Sequence, residues 1–334
     1  MIGMPGLMRL LGIAALVACG FLFSGYHLFQ LAQTAVYAVA IMGLVVVTGT
    51  TGQVSLGHGA FYAVGAYATA ILMTNFGWPF WATLPVAGIA CAALGFAVGL
   101  PALRLSGSYL ALVTFALAVA VPQMLRAKAL EQLTGGVQGI VVTAPDVPFG
   151  LPLSQDQYLY LVTLAVAVLM FAFAHNILRG RTWRAMVALR DQPLAAEAAG
   201  IDIARIKTRA FAISALFTGI AGALAAIIVQ FVAPDSFQPQ LSIALFVGLV
   251  VGGAGSLAGA VIGAAFVEFA PLLAEQVNKN APGVFYGVLL VAILFVMPGG
   301  VAGGFRRLIA GFQWRRHKPP SMLAKQQGGT AHAE

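Results

Sequence analysis

From Leu10 to Leu103 the chain carries no Asp, Glu, Lys or Arg. No water-soluble fold has room for such a stretch, because a globular surface needs charged side chains at about a quarter of all positions. Shorter charge-free runs occur at Tyr109–Leu125, Gln157–Leu178, Ala210–Pro234, Ser236–Val267 and Asn280–Phe305. A helix crosses the hydrocarbon layer with roughly 20 apolar residues, so each run is long enough for at least one crossing. The runs are rich in Leu, Ala and Gly and lack the alternation of a membrane barrel. With 60% hydrophobic and 8% charged residues, the sequence predicts an all-α polytopic membrane protein.

Breakers and charges divide the runs into ten spans, at about 10–30, 31–48, 59–75, 80–103, 108–125, 157–178, 210–232, 241–253, 256–274 and 283–304. The turn signals are "SGYH" at 24–27, "NFGWP" at 75–79 and "RLSGS" at 104–108. Only "GGAGS" at 252–256 separates the eighth from the ninth, which are either two crossings or a re-entrant hairpin. Short flanking loops that hold Lys and Arg stay cytoplasmic. Ten crossings from a cytoplasmic start, Arg9 and Arg104 included, put fifteen basic residues inside and leave three outside, Arg126, Lys128 and Lys279. Nine crossings would export the basic tail, so both termini are expected in the cytoplasm. The net charge of +8 is then a topology signal and an attraction to anionic lipid, with no nucleic-acid partner implied. "LVAC" at 16–19 resembles a lipoprotein cleavage box, but the apolar character runs on to Val47, where a processed chain would turn polar. Cys19 and Cys91 lie within apolar runs and read as small buried hydrophobes.

The expected organisation is a transmembrane domain over 1–304, with an outside loop at 126–156, a cytoplasmic loop at 179–209 and a basic, disordered tail at 305–334. Enzymatic signatures are missing. No glycine is followed by lysine, which excludes the usual phosphate-binding loop, and there is no His-Glu-x-x-His, Cys-x-x-Cys or Gly-x-Ser-x-Gly. The chain itself is expected to hold neither cofactor nor metal. Glu268 is the only carboxylate within a span, toward the outer end of its helix, where it reads as an interfacial or hydrogen-bonded group rather than an ion-coupling site.

Two interruptions and one loop carry the remaining information. "TGTTGQVSLGHGAF" (48–61) places Gln53, Ser55 and His58 among glycines between two apolar runs. Unsatisfied polar groups are costly in hydrocarbon, and irregular backbone survives at membrane depth only against protein or a water-filled cavity. Gly52, Gln53, Ser55, Gly57 and His58 are therefore either a structural turn or part of the translocation path or its gate. "GSLAGAVIG" (255–263) spaces Gly255, Gly259 and Gly263 four apart, which predicts one helix-packing face. In the loop, Asp191 or Gln192 can cap a short helix with Pro193 in its first turn; Gly200 stops it, and Asp202 caps the next helix. That knuckle is either a topology signal or a docking knob.

Resemblance tilts the choice toward a docking knob. "TGQVSLGHGAFYAVGAYATAIL" (51–72), "RLSGSYLALVTFA", "LTGGVQGI", "ALRDQPLAAEAAGIDIARIKTRAFAISALFTGIAGAL", "PDSFQPQLSIALFVGLVVGGAGSLAGAVIGAAF" and "FYGVLLVAILFVMPGG" together resemble the permeases of branched-chain amino acid ABC importers, closest to the LivM type. The resemblance runs from about 36 to 304; Val137-Gln138 departs from the family's usual pair. It implies a type II-like importer permease in the bacterial inner membrane, paired with a second, homologous permease, with two cytoplasmic ABC ATPases that bind ATP-Mg and an external substrate-binding protein. It also makes Arg184, Arg190, Asp191, Glu197, Ala198, Ala199, Gly200 and Arg205 the expected ATPase-coupling residues. Members of the family carry leucine, isoleucine and valine, and related systems carry other amino acids, urea or short amides. A passive channel, a secondary transporter and a membrane scaffold are the rival readings.

Overall fold

The computed structural model describes residues 4–102, 107–148, 152–277, 282–297 and 299–304. The tail at 305–334, Arg104 and Lys279 lie outside the described residues. In chain order the elements begin with α1 (Met4–Leu22), α2 (Tyr26–Leu44), a π-helical turn (Val45–Gly49), α3 (His58–Phe76), α4 (Phe80–Ala102) and α5 (Ser108–Leu125). Next come a 3-10 turn (Lys128–Leu130), α6 (Glu131–Thr134), β1 (Ile140–Val141), α7 (Gln155–Arg179), α8 (Arg181–Asp191), α9 (Pro193–Ala198) and α10 (Ile203–Val229). The described chain ends with β2 (Phe231–Val232), a 3-10 turn (Pro234–Phe237), α11 (Pro239–Gly252), α12 (Leu257–Val277) and α13 (Pro282–Val296). This is the all-helical, polytopic architecture the charge-free runs demand.

Among the described residues five helices are long and apolar enough to cross a membrane. They are Tyr26–Gly49, Phe80–Pro101, Gln155–Arg179, Ile203–Val229 and Leu257–Gln276, with a sixth if the bent pair Tyr109–Leu125 and Lys128–Thr134 is one span. The segments at 241–253 and 256–274 are two helices, α11 and α12, but α11 has only 14 residues, short of the roughly 20 a crossing takes. The first boundary also moves. The span bounds place it at residue 30, whereas the chain turns at Gly25, inside the "SGYH" signal, with a φ of 53° in the left-handed region that glycine adopts without penalty.

The long helices α2 and α10 form the centre, each with 72% of its apolar window buried against 28% for α7. Val36, Ala40 and Leu44 of α2 and Phe211, Phe217 and Leu224 of α10 are fully buried. Small residues set the spacing at the α3–α10 seam. A Cβ on Gly65 would overlap the Gly219 carbonyl oxygen, and one on Gly222 would overlap that of Tyr62, so the two backbones touch directly. Helix ends obey local chemistry. Ser154 and Gln157 form a reciprocal capping box at the start of α7, and the Asp202 carboxylate accepts the Arg205 N–H at the start of α10. On the side of the bundle opposite α8 and α9, β1 and β2 pair antiparallel, Ile140 with Val232 and Val141 with Phe231. Arg126 and Asp235 form an ion pair beside that ribbon.

Candidate functional site

The α2 helix does not end in an ordinary cap. Its last turn widens to a π turn at Val45–Gly49, and the chain then runs irregularly from Gly52 to Gly57 before α3 begins at His58. Several polar groups along this break have partners inside the bundle. Thr51 Oγ1 donates to Val47 O at 2.6 Å, and Thr48 Oγ1 to Gln53 O at 2.9 Å. The Leu56 N–H donates to Thr114 Oγ1 of α5 and the Gly59 N–H to Ser242 Oγ of α11. This is how irregular backbone is tolerated at such depth: neighbouring helices replace the lost ladder.

His58 stands at the centre, with none of its surface exposed. Its Nδ1 lies 3.2 Å from Ser55 Oγ and its Nε2 lies 2.6 Å from Ser214 Oγ. The Ser214 hydroxyl donates its proton to Gly43 O at 2.6 Å. A hydroxyl has only one proton to give, so His58 must donate from Nε2 to Ser214, and Nδ1 must accept from Ser55. One chain of hydrogen bonds thus runs Ser55–His58–Ser214–Gly43 and joins α2, the break, α3 and α10. Gln53 stands apart from it. It is 7% exposed, yet neither side-chain amide atom has a hydrogen-bond partner.

The knuckle reaches the same place from outside. The α8 helix buries Met186 and Leu189 against the bundle, with Thr50 Oγ1 3.4 Å from Met186 Sδ. The Arg190 guanidinium donates to the Gly49 carbonyl at 2.8 Å and to Asp191 at 2.9 Å. Its methylenes cover Gly52, where a Cβ would come within 3.1 Å of Arg190 Cγ; Gly52 also has a φ of 71°. The outer rim of the knuckle is free of such contacts. Leu194 is 82% exposed, and Arg184, Glu197, Ala198, Ala199 and Gly200 are exposed with it. Arg205 pairs with Asp202 at 2.9 Å.

Glycine-rich turns meet beneath the break. A Cβ on Gly49 would overlap the Ala254 carbonyl oxygen, and Gly253 lies against Gly299 and Gly300. Gly259 packs on the Gly252 and Gly253 carbonyls, and Gly263 on that of Gly248. Gly255 does not share this face. It precedes the helix, because Ser256 takes the cap position and accepts the Gly259 N–H at 3.0 Å, and nothing lies within 4 Å of the place its Cβ would occupy.

Several partners were not visible in the sequence. The α8 helix is one: the sequence reading starts its short helix at Pro193, whereas a separate amphipathic helix precedes it and Asp191 is that helix's last residue. Gln192 occupies the cap position of α9 without a side-chain bond. The signal was the apolar spacing of Trp183, Met186 and Leu189. Ser214, Thr114 and Ser242 gave no comparable signal. At the opposite end, a groove of about 880 Å³ opens between α2 and α12, edged by Tyr26, His27, Gln30, Leu273 and Glu275. Glu268 is half-buried within α12, in electrostatic reach of Tyr37.

A glycine-packed apolar bundle, with a break in its central helix latched to an exposed knuckle, has the build of a multi-pass membrane permease. Residues 26–297 match the family described as branched-chain amino acid transport system / permease component, and the chain belongs to that family. It is 35% identical over 318 residues to the high-affinity branched-chain amino acid transport system permease protein LivM of Salmonella typhimurium, covering 88% of this chain and 74% of that one. Identity to LivM of Escherichia coli K12 is also 35%, over 80% of this chain and 68% of the other. With LivH of the same organism it is 26%, over 80% and 91%. No solved structure matches the chain.

Proposed function

We propose that this chain is the membrane-spanning permease subunit of an ATP-driven importer for branched-chain amino acids in the inner membrane of a bacterium. It works beside a second, homologous permease, two cytoplasmic ABC ATPases that supply ATP-Mg hydrolysis, and an external binding protein. Ten crossings over residues 1–304, with both termini in the cytoplasm, keep the basic loops on one side; the 14-residue α11 would be the short eighth. Identity to both LivM and LivH relatives supports a permease pair.

The observation that carries this reading is the Arg190–Gly49 hydrogen bond. It ties a knuckle whose rim is exposed to the point where the central helix breaks. Residues Arg184, Glu197, Ala198, Ala199, Gly200 and Arg205 face the ATPase, while Arg190 and Asp191 pass its motion inward. Displacement of α8 and α9 would pull on Gly49, and through it on Gly52, Gln53, Ser55, Gly57 and His58, which form the gate. Switching of this kind needs a packed element with two arrangements, and a helix interrupted in mid-bundle is one. Gly259 and Gly263 hold the neighbouring α11–α12 pair in register as it moves.

The test is reconstitution of both permeases and both ATPases in liposomes, with the binding protein supplied. Leucine uptake should require both ATP and the ATPase subunits. Arg190→Ala should leave ATP hydrolysis in place while uptake falls; uptake by this chain alone, down a gradient and indifferent to ATP, would refute the assignment.

A further inference from the structure

One space in the molecule has no part in the break or the knuckle. Between α2, α3, α10 and the segment at 231–241 lies a cavity of about 170 Å³. Gln33 and Tyr37 of α2, Tyr62 of α3, and Ser236, Phe237 and Leu241 of the later segment form its walls. Ala66, Ala225 and Ala226 add small side chains that leave it open, and Val229, Phe231 and Val232 complete the lining. It sits at the Val229 end of α10, the far end from the knuckle.

Its polar lining is incomplete. Gln33 is only 8% exposed and lies beside the Tyr37 and Tyr62 hydroxyls, yet its Oε1 accepts no hydrogen bond. A buried amide oxygen without a donor is costly; it marks a place where an occupant should supply one. Among the described residues no charged side chain lines the space, although Glu268 of α12 is within electrostatic reach of both tyrosines. Apart from the Ser236 hydroxyl and the tyrosines, the rest of the wall is alanine, valine, phenylalanine and Leu241, which suits a compact apolar body. A cavity of roughly 150 Å³ in a protein core accepts a benzene-sized guest, so this one accepts a solute of that size or slightly larger.

We propose that this cavity is a solute pocket contained within the single permease chain, holding one small aliphatic α-amino acid whose ammonium group donates to Gln33 Oε1. The assignment rests on the reading of the chain as an amino-acid permease and adds where in the chain the solute pauses. Phe237 is the wall that must move. Its ring lies 6.1 Å from that of Tyr62 and 5.9 Å from that of Tyr67, and its segment is held by the β1–β2 ribbon and the Arg126–Asp235 pair.

The experiment uses the complete reconstituted transporter with Ala226→Leu, which narrows the space, and Gln33→Leu, which removes the acceptor. Ala226→Leu should lower ATP-driven leucine uptake about tenfold and alanine uptake less than about threefold, as a sieve does. Gln33→Leu should raise KM for both, while neither variant stops ATP hydrolysis. Should Ala226→Leu fail to insert, Ser236→Cys in a chain lacking Cys19 and Cys91 gives a second readout, since leucine should protect that thiol from a methanethiosulfonate reagent. Unchanged leucine-to-alanine preference together with no protection would mean that the cavity holds water only, and would overturn the pocket. That result is distinct from a wild-type complex with no ATP-dependent uptake at all, which would overturn the permease reading and the pocket with it.

Discussion

The His58 network in the break and the cavity at Gln33 are opposite solutions to the same problem of placing polar groups inside an oily bundle. In the break, Ser55, His58 and Ser214 satisfy one another and the Gly43 carbonyl, and the loop amides find Thr114 and Ser242. Around the cavity, Gln33 keeps an unmatched acceptor beside open space. Satisfied networks fix one geometry, and unsatisfied ones invite a ligand. The His58 network is therefore suited to being held and released as a unit, whereas Gln33, like Gln53 within the break, keeps side-chain atoms unmatched.

Both regions share the α3–α10 seam, so the largest effect should come from opening it. Gly222→Leu pushes a side chain into the Tyr62 carbonyl and should cost about 3 kcal/mol or more; no monodisperse protein should survive detergent extraction and size-exclusion chromatography. Next comes the contrast itself. His58→Ala leaves Ser55 without its partner and a void between α3 and α10, and should cost about 2 kcal/mol. Gln33→Leu should shift stability by less than about 1 kcal/mol, although both reduce uptake. Thermal unfolding in detergent compares the two, and an equal loss would erase the distinction. A smaller change in stability is expected for Arg190→Ala. Its guanidinium is partly exposed, so the fold should lose less than about 1 kcal/mol, while uptake per ATP hydrolysed should fall about tenfold. Ser154→Ala touches neither region and removes only the capping box of α7. It should cost about 1 kcal/mol and leave transport per folded molecule unchanged.

Much of this was legible in the chain because the bilayer imposes strong rules. Charge-free runs announced the helices. Gly200 and Asp202 announced the turn and cap before α10, and "GGAGS" announced the division between α11 and α12. What stayed hidden were contacts made across long separations in sequence. His58 meets Ser214 at a separation of 156 residues, and Gly59 meets Ser242 at 183; a lone serine in an apolar run gives no hint of such a partner. The first turn lies where "SGYH" at 24–27 marked it, at the left-handed Gly25; only the span boundary at residue 30 was misplaced, because hydrophobicity continues on both sides of that turn. Gly255 misled through spacing alone, since periodicity cannot tell a helical glycine from one just before the cap.

The π turn at Val45–Gly49 has a mechanical meaning of its own. A turn of this kind stows one residue more than an α turn of the same height. Converting it would feed that slack along the axis, a slip of about 1.5 Å with a swing of roughly 100° for the chain beyond it. Gly49 stands at the end of that turn, already in the grasp of Arg190. In the proposed coupling, the central helix would thus carry a single notch of travel, with the knuckle as the ratchet pawl.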